Sequence, residues 1–159
     1  EIVLRQMQIL ATASSKMVSG QVLDLQAEGK KIDLEHLEKI HLNKTGALIQ
    51  AAIMMAATAV YPANDIAFSV LRQFGQALGL AFQVQDDVLD ITADTAQLGK
   101  TAGKDEQAEK STYPALMGLD DSKQYAEELH EEAAEALSLL QDNTEQLKAI
   151  IAFLLHRKS

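Results

Sequence analysis

Apolar residues recur every three to four positions along most of the chain, and only two prolines and eight glycines interrupt them. Because an α-helix turns once in about 3.6 residues, this spacing places the apolar side chains on one helical face, whereas a strand would need strict alternation. No stretch alternates convincingly. The sequence therefore predicts an all-α fold. With 159 residues and no shift in composition, the chain is expected to form one helical domain.

Caps and breakers predict where the helices begin and end. Asp33 is a good N-cap for a second helix, and Asn64 or Asp65 is the expected cap of a later one. The polar stretch 93–111 is expected to be a long loop. The predicted helices run from the N-terminus to about Glu28, from Leu34 to a break at 43–46, from Ala47 to Val60, from 65 to about Thr92, briefly from Pro114, from Asp120 or Asp121 through Leu140, and from Thr144 to about Leu155.

Charge and composition exclude several classes of partner. Fourteen basic and 23 acidic residues give a formal net charge of −9, so we expect no nucleic-acid binding and no attraction to an anionic membrane. The longest apolar run, 47–61, is interrupted by Gln50 and is shorter than the roughly 20 residues that span a bilayer, so we expect no membrane insertion. The chain has no cysteine, which excludes disulfides and thiolate metal sites and fits a reducing compartment such as the cytoplasm.

The most unusual local feature is a group of aspartates inside an apolar helical run, residues 82–90 (FQVQDDVLD). In a helix Asp90 lies beside both Asp86 and Asp87, and Gln83 lies one turn before that pair, so these side chains form one oxygen-rich stripe. Like charges at this spacing cost about 0.2–0.5 kcal/mol per pair, and Asp is a poor helix former. Breaking several local rules together is typical of a functional site.

Clustered carboxylates with an amide oxygen nearby suit a hard divalent cation. Mg²⁺ takes about six oxygens and commonly bridges protein carboxylates to substrate phosphates; Mn²⁺ is the alternative ion. A calcium-binding EF-hand fits poorly, because its ligands are spread along an irregular loop. A simpler interpretation is a solvated acidic helix end, but the neighbouring residues look like core: Phe82, Val84, Val88, Leu89 and Ile91.

Lysines supply the opposite charge that a phosphate group needs. Lys44 lies at the predicted break 43–46, where free backbone N–H groups and the Thr45 hydroxyl would join its ammonium group. Three further lysines follow the aspartates: Lys100, Lys104 and Lys110. Each lysine alone is more simply a solvated surface residue. Their combination with the aspartate stripe predicts a site for a metal ion and a phosphate.

Five motifs occur in order along the chain: Gly20-Gln21 with Asp24, 44–48 (KTGAL), 82–90, Gly99-Lys100 and 110–114 (KSTYP). Together they resemble the C-terminal half of a bacterial-type farnesyl diphosphate synthase (geranyltranstransferase), a member of the trans-polyprenyl diphosphate synthase family. The resemblance covers essentially the whole chain. Five ordered motifs are far more specific than a DDxxD pattern alone.

This resemblance implies the isoprenoid synthase fold, in which helices surround a central cavity, and a homodimer. It also implies a reaction in which an allylic diphosphate, dimethylallyl or geranyl, ionises and is attacked by isopentenyl diphosphate. Mg²⁺ and lysines would stabilise the departing diphosphate, so no protein nucleophile is needed. The four histidines agree with this, because none falls in a recognisable acid–base or nucleophile arrangement.

The resemblance also implies roles for individual residues. Asp86 would coordinate Mg²⁺ directly as part of the second aspartate-rich motif, with Asp87 and Asp90. Asp87, Gln83 and Asp105 would hold the waters or neighbours of the metal ion, and Gln21 and Asp24 would line the cavity. The residues implied in binding the allylic diphosphate are Lys44, Thr45, Lys100 and Lys110.

Three departures from the family pattern limit what this chain is expected to do. The first aspartate-rich motif and the arginines that follow it are not found in these residues, Lys16 stands where the family usually carries glycine, and the first residues look like the middle of a helix. We therefore expect residues 1–159 to be a C-terminal fragment with half of an active site, inactive alone.

Two alternatives remain. One is a non-catalytic helical subunit or binding module. The other is a terpene cyclase, although a cyclase would carry an Asn/Asp-Ser/Thr-Glu type second metal motif.

Overall fold

The computed structural model describes residues 1–62, 65–97 and 111–156, and every regular element in these ranges is helical, so the all-α prediction is confirmed. The elements are α1 (Ile2–Ala27), α2 (Leu34–His41), a π-helical turn (Leu42–Gly46), α3 (Ala47–Val60), α4 (Ala67–Gln97), α5 (Tyr113–Met117), α6 (Leu119–Ser138) and α7 (Glu145–His156). Within these ranges no helix combines the length and apolarity needed to cross a membrane.

The expected break at 43–46 is wrong. Asp33 caps α2 as predicted, its Oδ1 accepting the His36 N–H at 2.9 Å. Beyond α2, however, the chain continues as the π-helical turn, with helical dihedrals at His41 (φ −67°, ψ −43°) and Ala47 (φ −60°, ψ −40°). One continuous helix therefore runs from α2 through α3. A π turn accommodates an inserted residue without ending the helix, so the glycine in this segment does not act as a stop signal.

The helix that carries the aspartates is longer than expected. Asp65 caps it, accepting the Ala67 N–H at 2.8 Å, whereas the alternative cap Asn64 lies outside the described residues. The predicted end at Thr92 is wrong, because α4 continues to Gln97. No glycine or proline occurs between Gly79 and Gly99, so the polar composition of this stretch is no barrier to a helix.

The short helix α5 leads directly into α6. The Thr112 hydroxyl accepts the Ala115 N–H at 3.3 Å, and Pro114 lies in the first turn as predicted. Gly118, with φ of 93°, makes the turn that a side chain would strain. Helix α6 therefore begins at Leu119, slightly before its expected start. Helix α7 begins at Glu145, one residue after its expected start at Thr144.

Helix α4 is packed on both of its halves. Its first half joins α3, α6 and α7 in one buried cluster, which includes Phe74 at 0% exposure. Its second half joins α2, α5 and α6 in another cluster, which includes Val84, also at 0%. Burying apolar surface on this scale is the main force that holds a helical bundle together. The aspartate stripe thus lies on the best-supported helix of the described fold.

Two glycines let α1 and α4 approach the backbone of the π turn. A Cβ at Gly20 of α1 would collide with the backbone of Lys44, and a Cβ at Gly79 of α4 would lie 2.9 Å from the Gly46 Cα. Neither position has room for a side chain, because the obstructing atoms are backbone atoms. The π turn is therefore in close backbone contact with both α1 and α4.

We predict that Gly79→Ala lowers the free energy of unfolding by about 1–3 kcal/mol, because the added methyl group must push α4 away from the π turn. The matched control is Gly46→Ala, whose Cβ would meet nothing closer than 3.6 Å and should cost less than about 1 kcal/mol. Urea unfolding of the two variants measures the difference. Equal stabilities would show that the helices are not in backbone contact.

Candidate functional site

The aspartates lie on α4 as predicted; Gln83, Asp86 and Asp90 are on the side opposite its buried valines, whereas Asp87 lies nearer to them. Val84 and Val88 are 0% and 4% exposed, whereas Asp86 and Asp87 are half-buried and Asp90 is exposed. The buried valines hold the helix in place, while the carboxylates of Asp86 and Asp90 on its other side remain accessible. The stripe is therefore a fixed row of acceptors on a rigid element.

The π turn brings Lys44 and Thr45 next to this stripe and to α1. The Thr45 hydroxyl donates to Gln83 Oε1 at 3.0 Å, and Lys44 Nζ forms an ion pair with Asp24 Oδ2 at 2.5 Å. The exposed fractions of the Lys44 and Asp24 side chains are 34% and 23%. Residues that are 20 and 38 positions apart along the chain thus meet in one place.

Their meeting follows from the two glycines. Asp24 lies four residues after Gly20 on α1, and Gln83 lies four residues after Gly79 on α4. Residues at this spacing share a helical face, so each polar side chain lies one turn along from a point of backbone contact with the π turn. The Gly-x-x-x-Asp and Gly-x-x-x-Gln spacings are the sequence signals of this arrangement.

The second aspartate of the motif points in another direction. Asp87 Oδ2 accepts the backbone N–H of Tyr113 at 3.0 Å, at the start of α5. Asp86 and Asp87 are consecutive, so their side chains leave a helix about 100° apart. The three aspartates therefore do not turn toward a single point.

Two tyrosines lie behind Asp87 and were not predicted as part of the site. The Tyr113 ring is 0% exposed and lies 5.5 Å from the His41 ring and 6.0 Å from the Tyr125 ring, between centroids. The Tyr125 hydroxyl donates to Glu38 Oε1 at 2.6 Å. Burial, followed by the negative charge of Glu38, raises the Tyr113 pKa above its ordinary value; burial and the hydrogen bond to Glu38 raise the Tyr125 pKa.

The donor chemistry fits Mg²⁺, although the described residues do not enclose an ion. Asp86 and Asp90 supply carboxylate oxygens one turn apart, and Gln83 supplies an amide oxygen one turn before Asp86. Within the described part of the chain, no three His, Asp or Glu side chains are close enough to form a metal cage. Mg²⁺ usually takes one or two carboxylates and completes its shell with water and phosphate oxygens, so this open donor set suits it.

Of the remaining predicted site residues, only Gln21 lies within the described part of the chain. Gln21 lies half-buried on α1, three residues before Asp24. The roles of three residues stay predictions, because these residues lie outside the described ranges: Lys100, Asp105 and Lys110.

The described residues line two grooves, one between α1 and α3 and one beside the π turn. Neither groove contains any of the predicted site side chains. The candidate site is the place where α1, the π turn and α4 meet.

We predict a loss of stability at alkaline pH that originates at Tyr113. Its pKa is 10.0 in the unfolded chain and higher in the folded protein, so the stabilisation is complete below pH 10 and is lost as the pH rises above it. Urea unfolding between pH 9 and 11 should show a falling free energy of unfolding, with a contribution from this residue of up to about 1.4 kcal/mol per pH unit. Tyr113→Phe should make the fall shallower. Identical slopes in the two proteins would contradict the burial of this hydroxyl.

Sequence matches show which known proteins this chain is similar to. The polyprenyl synthetase family matches residues 2–153. The farnesyl diphosphate synthase of Escherichia coli is 45% identical over 93% of this chain and 51% of its own length. The chloroplastic geranylgeranyl pyrophosphate synthase of Catharanthus roseus is 49% identical over 79% of this chain and 35% of its own length.

A solved structure shows the same fold. The geranyltransferase of Helicobacter pylori, crystallised in complex with magnesium and isoprenyl diphosphate, superposes with a TM-score of 0.77 at 33% identity, over 97% of this chain and 51% of that one. The chain thus spans about half the length of the Escherichia coli and Helicobacter pylori proteins. Since the family match extends over nearly every residue and the fold agrees, the chain belongs to the polyprenyl synthetase family.

Proposed function

We propose that this chain supplies one wall of the active site of a Mg²⁺-dependent prenyltransferase that condenses an allylic diphosphate with isopentenyl diphosphate. The observation that carries the proposal is the bond between Thr45 and Gln83, because it joins the lysine-bearing π turn to the aspartate-bearing helix. A diphosphate and its metal ions need both kinds of group on adjacent surfaces.

Lys44 and Thr45 are proposed to bind the diphosphate. A lysine ammonium group has three donors, so Lys44 can keep its ion pair with Asp24 and still donate to a phosphate oxygen. The Asp24 carboxylate thereby fixes the position of the ammonium group before substrate arrives. Preorganised charge of this kind stabilises a leaving group without reorganisation during the reaction.

Asp86 is proposed to hold Mg²⁺, with Asp90 and Gln83 binding the waters around it. The bound ion supplies charge that neutralises the departing diphosphate. The protein side chains then have only to orient the substrate and stabilise charge, so no nucleophilic residue is required. Lys100, Lys110 and Asp105 complete the proposed site from the segment beyond α4.

The chain is further proposed to be the C-terminal half of the enzyme. Helix α1 buries only Ala13 and Gly20 of its 26 residues. The large apolar side chains that it exposes are Ile2, Val3, Leu4, Met7, Leu10, Val18, Val22 and Leu25. An apolar surface of this extent indicates a partner, and the relatives are about twice as long as this chain. We propose that the other half of the synthase, carrying the first aspartate-rich motif, packs on α1, and that the complete protein is a cytoplasmic homodimer.

Farnesyl diphosphate is the proposed product. It is supported by the 45% identity to the farnesyl diphosphate synthase of Escherichia coli, which extends over more of this chain than the match to the Catharanthus roseus protein. Geranylgeranyl diphosphate is the alternative, since relatives of both names match. Incubation with labelled isopentenyl diphosphate and product chromatography distinguish C15 from C20.

A chimera tests the proposed activity. The segment of the Escherichia coli synthase that matches this chain is replaced by residues 1–159, and the product is assayed with dimethylallyl and isopentenyl diphosphates. We expect Mg²⁺-dependent condensation. Asp86→Lys should lower the rate of condensation by at least about 100-fold, because a carboxylate that attracts Mg²⁺ is replaced by a positively charged ammonium group. Asp121→Lys, at an exposed position on α6, is the matched control and should retain activity.

Two results would contradict the proposal: a folded chimera with no activity, or near-normal activity in Asp86→Lys. Thermal unfolding of every variant shows which proteins are folded. If the chimera does not fold, calorimetry on the chain itself decides. Inorganic pyrophosphate should strengthen its binding of Mg²⁺, whereas a non-catalytic helical module should show no such effect.

A further inference from the structure

We propose that Asp87 and Tyr113 form a positioning link that sets the aspartate stripe of α4 relative to Lys44 and Thr45. The catalytic consequence of this link rests on the proposed function, but the link itself does not. Neither residue touches the substrate in this account; each acts through the side chains that it holds in place.

The first half of the link is the hydrogen bond from Tyr113 N–H to Asp87 Oδ2, at 3.0 Å. Thr112 caps α5 with extended dihedrals (φ −129°, ψ 161°), so Tyr113 is the first residue of that helix. N–H groups in the first turn have no partner within their own helix. Asp87 supplies the missing acceptor, which attaches the start of α5 to α4 beside Asp86.

The second half of the link is the Tyr113 ring, which lies 5.5 Å from the His41 ring. His41 is three residues before Lys44 on the same continuous helix. Tyr113 therefore contacts the aspartate-bearing helix with its backbone and the lysine-bearing helix with its ring. Because it is completely buried, it cannot move without disturbing both neighbours.

Tyr125 reinforces the ring side of the link. Its ring lies 6.0 Å from that of Tyr113, and its hydroxyl donates to Glu38 on α2 at 2.6 Å. A hydrogen bond to a carboxylate is stronger than a neutral one, so α6 is held firmly to α2 at this point. Contacts thus run from Asp87 through both tyrosines to α2, which continues into the π turn.

The hydroxyl of Tyr113 is not part of the link. It is buried, and the described residues give it no hydrogen-bond partner. The ring and the backbone N–H carry the contacts instead. Tyr113→Phe preserves both and is a matched control for the effect of changing this position at all.

Hydrogen exchange and amide chemical shifts of the ¹⁵N-labelled chain test the link without any assay of activity. Asp87→Ala should speed exchange of the Tyr113 amide by about tenfold, the effect of losing one hydrogen bond, and should shift the Lys44 and Thr45 amides. Asp87→Asn, which keeps an acceptor oxygen, should restore much of the protection, and Tyr113→Phe should leave it near the parent value. Unchanged exchange and unchanged shifts in Asp87→Ala would overturn the link.

Kinetics of the chimera distinguish a positioning residue from a metal ligand. Asp87→Ala should lower kcat by about tenfold or more, since a misplaced group is costly, while the Mg²⁺ concentration for half-maximal rate changes little. Asp86→Ala should raise that concentration strongly. If Asp87→Asn is as impaired as Asp87→Ala, or if Asp87→Ala raises the Mg²⁺ requirement as Asp86→Ala does, Asp87 is a ligand and the positioning role is wrong. An inactive parent chimera counts against the proposed function alone, because the exchange experiment decides the link.

Discussion

The arrangement of the site depends on backbone contact between three helices. Gly20 on α1 and Gly79 on α4 leave no room for a Cβ on either side of the π turn. Asp24 and Gln83, each one turn further along, then reach Lys44 and Thr45. Larger residues at the glycines would separate the helices and move the polar groups out of hydrogen-bonding range, since these interactions weaken steeply with distance and angle. The absence of a Cβ at two glycines therefore determines where these four polar side chains meet.

The proposed diphosphate site belongs to an acidic chain, so its positive charge has to be supplied locally. The chain carries a formal net charge of −9, so long-range attraction does not favour a diphosphate. The cationic group is instead held locally: the Lys44 ammonium is half-buried and paired with Asp24. Carboxylates on α4 are compatible with an anionic ligand only when a divalent cation lies between them. The open donor set of α4 fits this proposal, because a metal ion that also binds phosphate needs coordination positions that the protein leaves vacant.

Much of the fold was predictable because its signals are local. Asp33, Asp65 and Pro114 mark helix starts through caps and fixed dihedrals, which depend on a few neighbouring residues. The π turn was missed because the composition of residues 43–46 is typical of a break, whereas the backbone dihedrals show that the helix continues. The aspartate stripe follows from helical periodicity alone. The Asp87–Tyr113 bond joins residues 26 positions apart, and no local pattern predicts which backbone N–H a carboxylate will find.

The proposed active site requires that Lys44, Thr45 and the aspartate stripe lie around one metal–diphosphate complex. Paramagnetic broadening of the ¹⁵N-labelled chain by Mn²⁺, added with inorganic pyrophosphate, measures this arrangement. The amides of 44–45 and 83–90 should broaden together, and Asp86→Lys should abolish the effect at both segments. Broadening confined to the acidic surface of α6, or unchanged by Asp86→Lys, would contradict it.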